Sequence, residues 1–268
     1  MPALDLDLPP GFTLVSLAER PDLIDPAGHF NGSVWPEFML QDSEADRYWY
    51  LLDSVFQELQ LVLLDADGAI AATNNSAPLH WDGTDESLPD GWDRQFEQTA
   101  LDLESRATVN TLGALQIVVD PARRGTGLAG LMVKAMQRNA LAHGFDRLIA
   151  CVRPTEKHRY PLIPIEQYAF WTRPDGEPFD AWIRLHVRLG ARIVRGSPRA
   201  MTIRGSVADW QRWTGESFPT SGQYLLPVAA APVEIDREAD TGVYYDPNVW
   251  VVHEMDAAYT GATRLSIR

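Results

Sequence analysis

Apolar and polar positions change their spacing along the chain, and this spacing predicts alternating strands and helices. Apolar runs or strict alternation predict strands at residues 12–17, 61–64, 70–77, 111–119, 147–152 and 192–195. Apolar residues three and four apart predict helices at 44–59, 92–104, 128–143 and 180–189, with a short helical piece at 165–171. No clear period follows Gly205. The pattern indicates a mixed α/β or α+β fold.

A glycine-rich turn follows the clearest predicted strand and opens the most regular predicted helix. Its residues 125–130 read G-T-G-L-A-G, which matches the G-x-G-x-x-G pattern of dinucleotide-binding domains. Five residues separate the strand from Gly125, however, whereas that class of turn follows its strand almost at once. The next predicted strand also ends without an acid to hold a ribose. An NAD-binding oxidoreductase is therefore disfavoured by these two features but remains an alternative.

The same turn fits a second pattern when it is read together with the arginines before it. Residues 119–129 read V-D-P-A-R-R-G-T-G-L-A behind an apolar strand. They resemble, without a gap, the central motif of the GNAT superfamily of acyl-CoA-dependent N-acyltransferases, V-x-P-x-x-R-G-x-G-x-G/A. The resemblance implies a mostly antiparallel mixed sheet that splays after the strand at 116–119. We expect a GNAT-like domain at 1–204, with its core motif at 111–152, and a C-terminal extension at 205–268 packed on the same domain.

The resemblance also implies that acetyl-CoA, or another acyl-CoA, is the cosubstrate. Glycines let backbone N–H groups crowd around a pyrophosphate, and a helix N-terminus adds the positive end of its dipole. The backbone of Ile117 and Val119 is expected to pair with the pantetheine amides, as in the family. The expected pyrophosphate-binding residues are Arg124, Gly125, Thr126, Gly127, Leu128, Ala129 and Gly130.

A second resemblance, at residues 185–191, supplies a candidate catalytic side chain. The family's L-Y-x-x-L-G-F ending of a late helix corresponds here to L-H-V-R-L-G-A. His186 therefore stands where the family carries a tyrosine that protonates the leaving thiolate, and Ala191 replaces the phenylalanine. The alternative for His186 is a core histidine, because Trp182 and Leu189 share its helix face. The general base is left open, since the strand at 111–119 has no acid; the candidates are His80, Glu104, Glu156, His158 and Glu166.

Composition and charge limit the classes of molecule that the protein is expected to bind. The chain has 37 acidic and 23 basic residues, a formal net charge of −14. Such a surface repels nucleic acid and anionic membranes but leaves small neutral or cationic molecules as partners. Cys151 is the single cysteine, which excludes an internal disulfide and fits a cytoplasmic protein. Histidine spacing predicts no metal site.

These observations lead to one expected function and two alternatives. The resemblance implies transfer of an acetyl or other acyl group from acyl-CoA to a primary amine, by direct attack in a ternary complex. The missing tyrosine and the missing strand acid favour, as an alternative, a catalytically silent acyl-CoA-binding regulatory module. The NAD-binding oxidoreductase is the other alternative. The amine acceptor and the oligomeric state are not indicated.

Overall fold

A computed structural model describes residues 6–255, which form one nine-stranded mixed sheet with helices on both faces. The strands are β1 (Thr13–Ser16), β2 (Leu61–Leu64), β3 (Ile70–Leu79), β4 (Thr111–Val119), β5 (Arg147–Val152), β6 (Ala191–Gly205), β7 (Gly222–Tyr224), β8 (Val233–Asp236) and β9 (Thr241–Glu254). The helices are α1 (Ile24–Val34), α2 (Ser43–Tyr48), α3 (Tyr50–Ser54), α4 (Trp92–Ser105), α5 (Leu128–Ala142), α6 (Ile165–Tyr168), α7 (Ala181–Arg188) and α8 (Val207–Thr214). Short 3-10 turns lie at Pro21–Leu23, Glu37–Gln41, Gln57–Leu59, Pro121–Arg123 and Lys157–Arg159.

The sheet opens between β4 and β5. Strands β1 to β4 pair antiparallel in chain order. β4 then runs parallel to β5 through only three register pairs, from Leu112–Leu148 to Ala114–Ala150. Beyond Ala114 the two strands part. Leu115 is a bulge, and residues 116–119 pair with β3 on one side and, within residues 6–255, with no strand on the other. This is the splay that the resemblance predicted.

The chain beyond residue 204 supplies a strand to the interior of the sheet. β9 pairs antiparallel with β5 over Val249–Glu254 and with β6 along most of its length. One edge of β9 pairs with β6. The other edge pairs with β8 at the start of β9 and with β5 at its end. The periodicity after Gly205 did not reveal this strand. The division of the chain at residue 204 stays a prediction, and residues 256–268 lie outside the described part.

Alternating residues of β2 show how the two faces of the sheet are covered. Leu61 and Leu63 pack in a cluster with α5, whereas Val62 and Leu64 pack in a cluster with α1. Successive strand residues point to opposite faces, so one apolar run serves both layers. No helix among residues 6–255 is long and apolar enough to cross a membrane.

Two predicted elements differ from the structure in extent. The helix predicted at 44–59 is divided into α2, α3 and a 3-10 turn. The α-helical hydrogen bonding is interrupted at Trp49. Its carbonyl accepts from the N–H of Leu52, three residues later, at 2.9 Å. The strand predicted at 192–195 extends over Ala191–Gly205. Bulges between Ile193 and Arg195 and after Ser197 interrupt the alternation that would have revealed its full length.

Candidate active site

The glycine-rich turn forms an open cradle at the start of α5. Gly125 and Gly127 have φ values of 80° and 89°, a left-handed conformation that favours glycine. A Cβ built at either position would meet no heavy atom within 4 Å, so the space beside the turn is empty. The first N–H groups of a helix lack intrahelical acceptors. The cradle therefore offers unpaired donors and a positive helix end to an anion.

The two arginines of the turn have different surroundings. Arg123 forms an ion pair with Asp65 of the β2–β3 hairpin and lies over the ring of Phe12, with its guanidinium carbon 5.7 Å from the ring centroid. Arg124 is exposed and lines the cavity beside the turn. Arg123 thus braces the turn, while Arg124 remains available to a ligand.

A cavity of about 820 Å³ joins this cradle to the opening between β4 and β5. Arg124 and Ala129 line its α5 end, and Ile117 and Val119 line it along β4. Four of the nine residues predicted to bind the cosubstrate therefore border one space. The predicted residue Leu128 is buried in the core, so only its backbone can face a ligand. The other four, Gly125, Thr126, Gly127 and Gly130, are the turn and first helical turn beside it.

The cavity has aromatic walls, with four tryptophans lining it: Trp35, Trp49, Trp92 and Trp182. We call the part of the cavity that is lined by Trp35, Trp49, Asp46 and Arg153 the chamber. The indole N–H of Trp35 donates to Gln116 Oε1 (3.1 Å), and the Gln116 amide donates to Asn75 Oδ1 (2.8 Å). These bonds hold the Trp35 ring against the unpaired stretch of β4. The rings give the chamber broad apolar faces suited to a flat or aliphatic group.

Two charged side chains of opposite sign also border the chamber. Asp46 on α2 lines it and is exposed, and no partner of its carboxylate is recorded among residues 6–255. Arg153, just beyond β5, donates from Nε to both oxygens of buried Asp246 (2.9 and 3.0 Å) and from Nη2 to the Val228 carbonyl (3.0 Å). Burial lowers the pKa of Arg153, but Asp246 and Tyr244 together outweigh burial, so the pKa lies well above its usual value.

His186 lies in the wall of the same cavity and is only 3% exposed. Its Nδ1 is 2.9 Å from Nε2 of His253 on β9, and the edge of Trp182 packs on the ring at 4.6 Å between centroids. Its Nε2 is buried and has no partner among the described residues. Burial, with a smaller contribution from His253, lowers the pKa of His186 to about 3. The imidazole is therefore neutral near pH 7, and a protonated His186 is not the acid.

Of the five candidate bases, only His158 lines the cavity. It is exposed, and its Nδ1 lies 3.1 Å from the Thr155 carbonyl. The other four, His80, Glu104, Glu156 and Glu166, do not line the cavity. Cys151 does line it, but burial raises the pKa of its thiol well above the usual range, so it is no nucleophile. No cluster of metal-ligating side chains occurs in the part of the chain that the structure describes.

Sequence reasoning missed three groups of this site. These are His253, the partner of His186, then Gln137, the partner of His253, and Trp35 in the cavity wall; each contacts a residue far away in the sequence. His253 and His186 are 67 residues apart and meet because β9 returns beside β5 and β6. No local sequence signal marks that return.

The splayed sheet, the glycine cradle and the continuous cavity together define an acyltransferase of the GNAT type. The chain belongs to the GNAT superfamily and is an acyl-CoA-dependent N-acetyltransferase. It is 33% identical to the arginine N-acetyltransferase avaD of Aspergillus versicolor over a gapped alignment of 283 positions, which covers 94% of this chain and 97% of the relative. No established family profile matches the sequence.

Solved structures show the same fold at low sequence identity. The loading GNATL domain of CurA from Lyngbya majuscula superposes with a TM-score of 0.57 at 14% identity, covering 91% of this chain and 97% of that domain. The GphF GNAT-like decarboxylase in complex with isobutyryl-CoA gives a TM-score of 0.53 at 19% identity, covering 91% and 99%. The regulatory-module and NAD-binding alternatives gain no support from these relatives.

Proposed function

We propose that the protein transfers an acetyl group from acetyl-CoA to a nitrogen of a small cationic acceptor of the arginine class. The observation that carries the proposal is the single cavity that runs from the glycine cradle, along the unpaired edge of β4, to a chamber with one acid and one arginine. The avaD relative, named as an arginine N-acetyltransferase, supports the class of acceptor.

The cradle end fits the cosubstrate. The open turn at Gly125 and Gly127 leaves space for a pyrophosphate beside the unpaired N–H groups of α5, and Arg124 adds a positive charge. The backbone of Ile117 and Val119 lies on the edge that has no strand partner, so it can pair with the pantetheine amides as an added strand would. The thioester then lies toward the chamber, where the acceptor binds.

The chamber end fits a cation that also carries a carboxylate. Asp46 supplies the negative charge for a guanidinium or ammonium group, and the ring of Trp49 favours such a cation, while the Arg153 guanidinium already lies over the Trp35 ring. Arg153 lines the cavity, and a guanidinium has five N–H groups, of which the bonds to Asp246 and Val228 use two, so Arg153 can also donate to a carboxylate. The formal net charge of −14 attracts cations to the protein as a whole.

The test is thiol release from acetyl-CoA with arginine, agmatine and an uncharged amine as acceptors. We expect arginine to have the highest kcat/KM, and agmatine, which lacks the carboxylate, to have a higher KM. Asp46→Asn should raise the KM for arginine about tenfold, the effect of one lost charge pair, without changing the KM for acetyl-CoA. Asp67→Asn, at the exposed hairpin turn, is the matched control.

Product analysis completes the test. Mass fragmentation of acetylated arginine tells which nitrogen carries the acetyl group. A parallel incubation with malonyl-CoA and no amine measures decarboxylation, the activity in the name of one structural neighbour. Thiol release that needs no amine, or an equal preference for the uncharged amine, would contradict the proposed acceptor.

A further inference from the structure

Three side chains form a hydrogen-bonded line that ends in the wall of the cavity. The amide nitrogen of Gln137, on α5, lies 3.0 Å from Nδ1 of His253. Nε2 of His253 lies 2.9 Å from Nδ1 of His186. The last ring nitrogen, Nε2 of His186, is buried and unpaired in a residue that lines the cavity. The line therefore ends in one unpaired polar atom, which belongs to a residue in the wall of the cavity where the thioester is proposed to bind.

The direction of each bond in this line follows from its first member. The amide nitrogen of Gln137 also donates to the backbone carbonyl of Leu189 (3.1 Å), and a carbonyl can only accept. The atom facing His253 is therefore an N–H donor, so Nδ1 of His253 accepts. A neutral imidazole carries one proton, so that of His253 is on Nε2 and is donated to Nδ1 of His186. The proton of His186 is then on Nε2.

The charge state of both rings agrees with this assignment. Burial lowers the pKa of His253 to about 4 and that of His186 to about 3, so both are neutral near pH 7. The Leu189 carbonyl acts on the pKa of His253 in the raising direction, and a proton on Nδ1 of His253 is the arrangement it would favour. A proton on Nδ1 of His253 would, however, point at the amide N–H of Gln137, 3.0 Å away. That amide already donates to the Leu189 carbonyl.

We propose that Gln137 and His253 are positioning residues that hold His186 as the Nε2–H tautomer, and that this N–H donates a hydrogen bond to the thioester sulfur as it departs. The proposal rests on the acetyl transfer proposed above. The acceptor nitrogen attacks the carbonyl carbon, the C–N bond forms, and the C–S bond breaks with its electron pair on sulfur. The proton that neutralises the thiolate comes from the attacking nitrogen. His186 stabilises the developing charge and gives up no proton.

The first test reads the tautomer directly. Nitrogen-15 NMR of the histidine side chains in the wild-type protein is expected to show His186 neutral, with its proton on Nε2. Gln137→Met removes the donor at similar size and is expected to yield a mixture of tautomers at His253 and His186. Gln211→Met, at an exposed position on α8, is the matched control and should change neither ring. A proton on Nδ1 of His186 in the wild type overturns the proposal.

The second test separates positioning from packing. His253→Leu removes both ring nitrogens, and kcat is expected to fall at least about tenfold, toward the 10²–10³ typical of a lost oxyanion donor, at an unchanged Kd for acetyl-CoA. His253→Gln has a carbonyl to accept from Gln137 and an amide N–H to donate to His186, so its kcat should lie between wild type and the Leu variant. Equal kcat in both variants, at equal melting temperature, overturns the proposal.

The outcomes distinguish this proposal from the proposed function. If the wild-type protein acetylates no amine, the proposed function fails, while the NMR measurement still decides the tautomer. If His253→Leu does not fold, Gln137→Met and the wild-type spectrum still decide it. If the protein is active and Gln137→Met leaves both the tautomer and kcat unchanged, the line has no positioning role.

Discussion

The glycine cradle can be tested by two substitutions of the same shape at Gly127. This residue is exposed, has φ near 89°, and has open space where a Cβ would stand. Asn and Asp tolerate the left-handed conformation better than other side chains, and both are good residues for a helix N-terminus. Gly127→Asn and Gly127→Asp should therefore fold alike, and they differ by one negative charge.

The expected difference in acetyl-CoA affinity between the two variants follows from the added negative charge of the aspartate. Two unit charges about 4 Å apart in water interact by about 1 kcal/mol, and a pyrophosphate carries about two such charges. The carboxylate of Gly127→Asp should therefore weaken acetyl-CoA binding by about 2 kcal/mol relative to Gly127→Asn, which is roughly thirtyfold in Kd. A more shielded site would increase the difference.

Isothermal titration of acetyl-CoA into both variants measures this difference. Because the interaction is electrostatic at an exposed site, it should shrink as the salt concentration rises from about 0.01 M to 1 M. Melting temperatures provide the control for folding. Equal affinities for the Asn and Asp variants at the lowest salt concentration would refute the assignment of the pyrophosphate to this turn.

Three further predictions concern the fold and the chemistry. Burial, with the nearby Asp42 carboxyl adding to it, raises the pKa of Asp93 to about 9; the folded state therefore holds a proton that the unfolded chain releases near pH 4, and stability should fall as pH rises from about 4 to 9, by at most about 1.4 kcal/mol per pH unit. Asp93→Asn should flatten that slope in denaturant titrations; an unchanged slope argues against the raised pKa of Asp93. His186→Phe should lower kcat by about 10²-fold or more with acetyl-CoA affinity retained, and His186→Tyr should recover part of it; a lower melting temperature with normal kcat would mark His186 as a core histidine. Val119→Ile should leave the Kd for acetyl-CoA within about threefold, because a backbone contact does not depend on the side chain; a larger loss would indicate a side-chain contact.

Local sequence patterns were enough to predict the part of the site that is built from one continuous segment. The strand Thr111–Val119 agrees with its predicted bounds, and the turn and α5 follow as expected, because alternation, glycine positions and helical spacing all lie within residues 111–142. A motif of this kind is readable because its geometry depends on neighbours in sequence. The cradle and its helix were therefore predicted residue by residue.

The chamber could not be predicted from local sequence patterns. Trp35, Asp46 and Arg153 come from three separate segments and meet only in the folded chain. β9 gave no recognisable signal, because nearly all of its second half is buried between two strands and shows no alternation. His186 was found by resemblance to a motif, but its partner His253 depends on the register of β9 against β6.

The most direct measurement of the central claim follows an isotope-labelled acetyl group. Purified protein is mixed with acetyl-CoA carrying carbon-13 in its acetyl group and with arginine, and thiol release and labelled product are counted together. We expect one labelled N-acetylated arginine for each CoA thiol released, with little turnover in Gly127→Asp at an acetyl-CoA concentration that sustains Gly127→Asn. Thiol release without labelled amine, or acetyl-CoA binding without any transfer to arginine, would contradict it.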